Sequence, residues 1–197
     1  MGYDLLAGIF FILLTPFVLA AFVVFWLVNA HDHEDLARRW RSYARTRGLD
    51  FAPPEGAWPN RTAAAITWAS GDATLRLTTI GREARVRTRL VVRPRVTLLG
   101  ALSWICDEGA AARIRTRERP AGFTPRIVSD RVRRALLALR QRDRVTLRYQ
   151  RGRVVVEWSG GEISDARLDD ARRLGEAIAE SVDQAFRAPA RIRKPAA

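Results

Sequence analysis

Arginine is the residue type in this chain with the chemistry to hold a ligand, and its spacing along extended segments is what singles it out. Arg85, Arg87 and Arg89 alternate along one stretch, and Arg113, Arg115, Arg117 and Arg119 along another. Side chains two apart in a strand point the same way, so each set is expected to share one face. Arg76 and Arg148 stand opposite the apolar positions of their own segments. A sheet face built from Arg76, Arg85, Arg87, Arg89, Arg113, Arg115, Arg117 and Arg148 could grip phosphates or carboxylates through bidentate guanidinium contacts. The competing reading is compositional: of 34 basic residues only Lys194 is lysine, as a coding bias would produce. Such a bias explains arginine over lysine, but not the excess of 34 basic over 21 acidic residues. On that reading the face is solvated and holds no ligand.

The partner of such a face is an anion. A nucleic-acid surface should interleave its cations with exposed aromatics on which bases stack. Tyr149 and Trp158 lie instead on the apolar side of their segments, so nucleic acid is not the expected partner. An acidic protein or an anionic lipid is.

Other chemistry is sparse. His31 and His33, two apart, do not share a helical face, and no matching ligand set stands elsewhere, so no metal is expected. Cys106 is the single cysteine, which excludes an internal disulfide or a CxxC pair, and the apolar run before it suits a small buried hydrophobe. Asp165, Asp169 and Asp170 resemble a carboxylate cluster. Acids in a helix's first turns are favoured by its dipole, and Arg173 stands at i,i+4 from Asp169, so a structural role is expected. The dinucleotide turn, the phosphate-binding loop and the serine-hydrolase elbow are all absent, so neither catalysis nor a cofactor is expected. The alternative is an enzyme whose site is assembled in space from unrecognised residues.

The elements that must position the arginines come from pattern and length. The 197 residues suit one domain plus an appendage. Residues 5–28 carry no charge and, at ~1.5 Å per residue, reach about 36 Å against a hydrocarbon core of about 30 Å. The run predicts a single transmembrane helix with a tolerated kink at Pro16 and an interfacial Trp26. No Lys or Arg precedes it, whereas Arg38, Arg39, Arg41, Arg45 and Arg47 follow. The positive-inside rule then predicts an inner-membrane, single-pass protein with its N-terminus outside and its C-terminal domain cytoplasmic. The bilayer is the expected partner of residues 5–28, and anionic headgroups a further one for the basic body. A cleaved signal peptide is disfavoured by the missing basic n-region and the length of the run.

The expected organisation is therefore an anchor over 1–30, a juxtamembrane amphipathic helix over 31–51, a Pro/Gly linker over 52–62, an α+β domain over 63–187 and a basic tail over 188–197. Leu36, Trp40 and Tyr43 share one face of the juxtamembrane helix, which Gly48 ends. Period-two alternation predicts strands over 64–69, 75–79, 86–92, 112–118, 145–149 and 154–158, the last two joined at Arg151-Gly152. The run 96–106 is ambiguous between strand and buried loop because Gly100 interrupts it. Ser129 and Ser164 are expected to cap helices carrying Val132, Leu136 and Leu139, and Leu168, Leu174, Ile178 and Val182. The fold class predicted is α+β: a transmembrane helix followed by one domain with an antiparallel sheet and two or three packed helices. The function expected is that of a membrane-anchored interaction or scaffold module, with anion binding through the arginine face as the alternative.

Overall fold

The computed structural model describes residues 2–56, 62–80, 86–106, 114–139, 144–162 and 164–187, with side chains left undescribed over 2–13 and 25–33. Two compact units are present, Met1–Arg38 and Arg39–Ala197. Helix α1 spans Gly2–Arg47, so its last residues belong to the second unit. It stops where the sequence places its end. Gly48 takes a positive φ of 64°, a conformation a residue with a Cβ rarely adopts, and the Leu49 amide donates back to the Ala44 carbonyl at 2.9 Å.

The first unit corrects the expected anchor. Among the described residues no helix is long and apolar enough to cross a membrane. Nor does a separate helix start at residue 31, since the charged residues that follow the apolar run continue the same element. The expectations of a transmembrane helix and of inner-membrane single-pass placement rest on that span and fall with it.

The second unit is organised by one sheet of eight strands. In chain order these are β1 (Asp50–Ala52), β2 (Ala65–Ser70), β3 (Ala73–Ile80), β4 (Arg87–Arg93), β5 (Ala101–Cys106), β6 (Ile114–Arg119), β7 (Val145–Gln150) and β8 (Arg153–Ser159). Their spatial order is β1-β2-β3-β4-β8-β7-β5-β6, and every pairing is antiparallel. β1 to β4 form a meander, while β5 to β8 form a second group that meets it only along β4 and β8. β1 falls where a helix end and a linker are expected, because three residues are too few for alternation to register. The ambiguous run resolves into a loop followed by β5, in which Leu102, Trp104 and Cys106 are buried in alternation.

One face of this sheet is the core. Leu75, Leu77, Leu90, Val92, Leu147, Val154 and Val156 are each no more than 2% exposed. They are covered by α3 (Asp130–Leu139), through Val132, Leu136 and Leu139, and by α4 (Asp165–Arg187), through Leu168, Leu174, Ile178 and Val182. The short helix α2 (Thr124–Ile127) adds Ile127. α3 starts as the sequence predicts, with the Val132 amide donating to Ser129 Oγ at 3.4 Å. α4 approaches the sheet closely at Gly175. A Cβ there would sit 2.5 Å from Leu75 Cδ2 and 3.5 Å from Leu90 Cδ1, so any larger residue must displace the Leu75 side chain or the helix.

Candidate functional site

The register of the sheet decides where the arginines go, because directly paired residues on neighbouring strands point to the same face. One row can be followed across seven strands: Thr67 opposes Arg76, Arg76 opposes Val91, Val91 opposes Val155, Val155 opposes Arg148, Arg148 opposes Ser103 and Ser103 opposes Arg117. The next row runs from Thr78 through Arg89, Glu157, Thr146 and Ile105 to Arg115. In both rows the intervening residues on every strand but the edge strand β6 are the buried ones, so these rows lie on the side away from α3 and α4. Arg87, Arg93, Arg119 and Arg153 occupy the same side at the strand ends.

Six of the eight candidate residues therefore meet on one surface: Arg76, Arg87, Arg89, Arg115, Arg117 and Arg148. Arg85 and Arg113 lie outside the described residues. The two alternating sets read from the sequence sit on two different strands, β4 and β6, yet the chain of pairings between them turns both toward the same side. Arg93 and Arg153 join them unanticipated, although both have the parity that marks the others, four residues beyond Arg89 and two before Val155. With ~4.8 Å between strands, Arg76 and Arg148 stand ~14 Å apart, and Arg148 and Arg117 ~10 Å apart.

The charge of this face is almost entirely of one sign. Arg89 is held by Glu157, its cross-strand neighbour, with Nε donating at 2.8 Å and Nη2 at 2.7 Å to the same carboxylate oxygen. Among the described residues no carboxylate lies within ion-pair distance of Arg76, Arg87, Arg93, Arg117, Arg119, Arg148 or Arg153. Between the arginines runs a weakly polar strip in which Val91, Val155 and Ile105 are half-buried beside Thr78 and Thr146. Tyr149 and Trp158, as the sequence predicts, are on the core side, each 1% exposed.

No family model, curated protein or solved structure matches the chain.

The helical side uses its charges for construction. Arg47 donates to both oxygens of Asp169, from Nε at 2.9 Å and Nη2 at 2.7 Å, and the Tyr43 hydroxyl donates to Asp169 Oδ1 at 2.8 Å. The Arg47 guanidinium also lies over the Tyr43 ring, 4.8 Å from its centroid. The Arg47 hydrogen bonds, aided by that of Tyr43, lower the Asp169 carboxyl from 3.8 to about 2 against the opposing effect of burial. Burial first, and then the bond to Asp169, push the Tyr43 hydroxyl up. The structural role expected for Asp169 holds, but through partners distant in sequence, while Arg173 turns to Asp170 at 3.6 Å.

Glu162 is a second buried joint. Its carboxylate accepts from Arg167 Nε at 2.7 Å and Trp158 Nε1 at 3.3 Å, and its carbonyl accepts from Trp40 Nε1 at 2.5 Å. Glu118 turns off β6 to accept from the Gly122 amide at 2.6 Å and from the amide and hydroxyl of Thr124. The Thr124 hydroxyl, with those amides, holds its carboxyl below the usual range.

A cleft of about 540 Å³ opens where the β2–β3 turn meets α3 and α4. Its charges are spent on one another: Arg95 faces Asp72 at 3.7 Å, Arg131 meets Glu180 at 2.5 Å and Arg187 meets Asp183 at 2.9 Å. Among the described residues no group of three or more His, Cys, Asp or Glu is placed to hold a metal, and the side chains of His31 and His33 lie outside those described. Cys106 is buried.

Proposed function

We propose that the second unit is an interaction module whose outer sheet face docks an acidic protein surface. The observation that carries this reading is the gathering of nine arginines from five strands onto one side of one sheet, seven of which, Arg76, Arg87, Arg93, Arg117, Arg119, Arg148 and Arg153, have no carboxylate of the described residues within ion-pair distance. A folded domain has no need to concentrate like charge in this way, since the repulsion works against compaction. Eight strands at ~4.8 Å, seven of them about 20 Å long and β1 about 10 Å, give a face of about 700 Å², close to the ~800 Å² that one partner contributes to a standard interface. The layout also suits a protein partner. Val91, Val155 and Ile105 form a weakly apolar centre, and guanidinium groups, enriched at protein interfaces and able to grip carboxylates in pairs, surround it. Aromatics able to stack on bases are absent from the described residues of this face, which favours carboxylates over nucleobases as the thing recognised.

The test compares two triple variants of the full-length chain that lose the same net charge. Arg76→Gln/Arg117→Gln/Arg148→Gln changes the outer face, whereas Arg126→Gln/Arg133→Gln/Arg134→Gln changes exposed residues of α2 and α3. Binding of a fluorescent poly-glutamate peptide, followed by anisotropy, is expected to weaken about tenfold or more in the face variant, from three lost contacts at roughly 0.5–1 kcal/mol each. The helical-side variant is expected to change it by less than about threefold, and added salt to weaken the wild type. Equal losses in the two variants would show that net charge alone attracts the peptide and would remove the docking face.

A further inference from the structure

We infer that β6 is an open edge that receives an acidic, extended segment of a partner protein as a ninth strand of the sheet. The inference rests on the reading of the outer face as an acid-docking surface and adds to it the mode by which the partner is held.

The two edges of the sheet differ. β1 is three residues long, and Arg41 places its guanidinium 5.4 Å from the centroid of the Phe51 ring, so that edge is short and partly covered. β6 is six residues long and pairs with β5 alone among the described residues. All of Ile114–Arg119 is exposed except Glu118, which is partly so, and the core side of the strand is bare as well: Ile114 is 39% exposed. An edge strand presents alternate N–H and C=O groups without partners, and proteins ordinarily blunt such an edge by shortness, charged side chains, an internal proline, a bulge or a cover. Of these β6 shows, among the described residues, only charge, which repels a like-charged strand and leaves the edge open to an acidic one. Its sequence, Ile-Arg-Thr-Arg-Glu-Arg, contains no proline, and its register with β5 is unbroken from Ile114 to Arg119.

Side-chain chemistry selects the occupant. Arg115, Arg117 and Arg119 project on the outer side at ~6.8 Å intervals, and residues directly opposite on an added strand bring their Cβ atoms within ~5 Å. An incoming strand therefore meets a guanidinium at every second position on that side, and Ile114 and Thr116 on the other. Acids alternating with β-branched or small apolar residues satisfy both. A second copy of this chain does not: β6 laid antiparallel on β6 sets arginine opposite arginine, which is destabilising, and β1 offers only three residues to pair. The same arginines that repel another β6 attract a carboxylate-bearing strand, the dual use of attraction and repulsion by which interfaces gain specificity.

The experiment uses the full-length chain and a peptide of alternating Glu and Val. Two further versions are N-methylated on one or the other set of alternate amides, and a fourth has the same composition with its glutamates in a block. Anisotropy gives affinity, and amide hydrogen exchange gives the location. The alternating peptide is expected to slow exchange tenfold or more at those β6 amides that point away from β5. N-methylation of one amide set is expected to weaken binding tenfold or more, with the other set and the block peptide distinguishing ladder pairing from charge alone. Arg115→Glu/Arg117→Glu should transfer the preference to an alternating Lys-Val peptide. Binding indifferent to both methylations, with β6 unprotected, overturns strand addition; if that binding still falls in Arg76→Gln/Arg117→Gln/Arg148→Gln, the docking face survives without it. Methylation-sensitive binding that ignores Arg76→Gln/Arg148→Gln keeps the edge and removes the wider face. Failure of the alternating peptide to bind, or β6 protection that grows with protein concentration in its absence, overturns the inference, the latter in favour of a second copy.

Discussion

The two faces of the sheet are made from the same strands, residue by residue, and have nothing chemically in common. In β3 the order Leu75-Arg76-Leu77 sends two leucines into the core and a guanidinium outward, and in β7 Leu147-Arg148-Tyr149 repeats the arrangement. The lesson lies in what the alternation forbids. A slip of one residue in either strand would turn every side chain over, taking Arg76 or Arg148 against α4 and Leu75 or Leu147 into water. An unpaired guanidinium in the core is far more costly than an exposed leucine, so the outer arginines hold the register even before any partner arrives. Stability is concentrated on one parity of the chain and recognition on the other.

That division can be broken in four ways, in descending order of expected effect. Leu90→Ala, in the central strand β4 and fully buried, should lower the unfolding free energy by about 2–5 kcal/mol in urea titration, and a loss under ~1 kcal/mol would mean the core is not where the fold is held. Gly175→Val should cost about 1–3 kcal/mol by displacing the Leu75 side chain or α4. A thermal midpoint equal to that of the wild type would show that the close approach at this residue is dispensable. Acid unfolding isolates the joint at α1: the Asp169 carboxyl is depressed from 3.8 to about 2, so its contribution is complete above about pH 4 and disappears as the pH falls to about 2. Asp169→Asn should flatten the stability curve across that window, and a wild-type curve with the same slope as the variant would exclude the role. Smallest of all, Arg76→Gln/Arg117→Gln/Arg148→Gln should leave stability within ~0.5 kcal/mol per site, and a larger drop would make the outer face part of the fold's support.

Much of this division was readable from residue order alone. Alternation located β2, β3, β4, β7 and β8 and assigned Arg76, Arg87, Arg89, Arg115, Arg117 and Arg148 to non-core positions, because a period of two is a local property. Long-range pairing is not. That β4 lies beside β8, and hence that the arginines of β4 and β6 share a side, depends on contacts between residues more than sixty apart, such as Arg89 with Glu157. The same limit explains Asp169, whose partners Tyr43 and Arg47 precede it by 126 and 122 residues, while the nearer Arg173 looked the natural match. β1 and α2 are too short to carry a period at all. The expected anchor differs for another reason: hydropathy of a run gives only the length available for crossing, whereas among the described residues no helix is long and apolar enough to cross a membrane.

The junction between β4 and β8 has a consequence for how the chain is made. β8 is the last strand to be synthesised and yet sits in the middle of the sheet, so β4 waits without a neighbour on that side until the ribosome has passed Ser159. During that interval the nascent protein is two unfinished ribbons, each with a raw border of the kind that glues unfinished chains together on polysomes. Like-charged guanidinium groups on both ribbons oppose association between neighbouring nascent chains while that border is open.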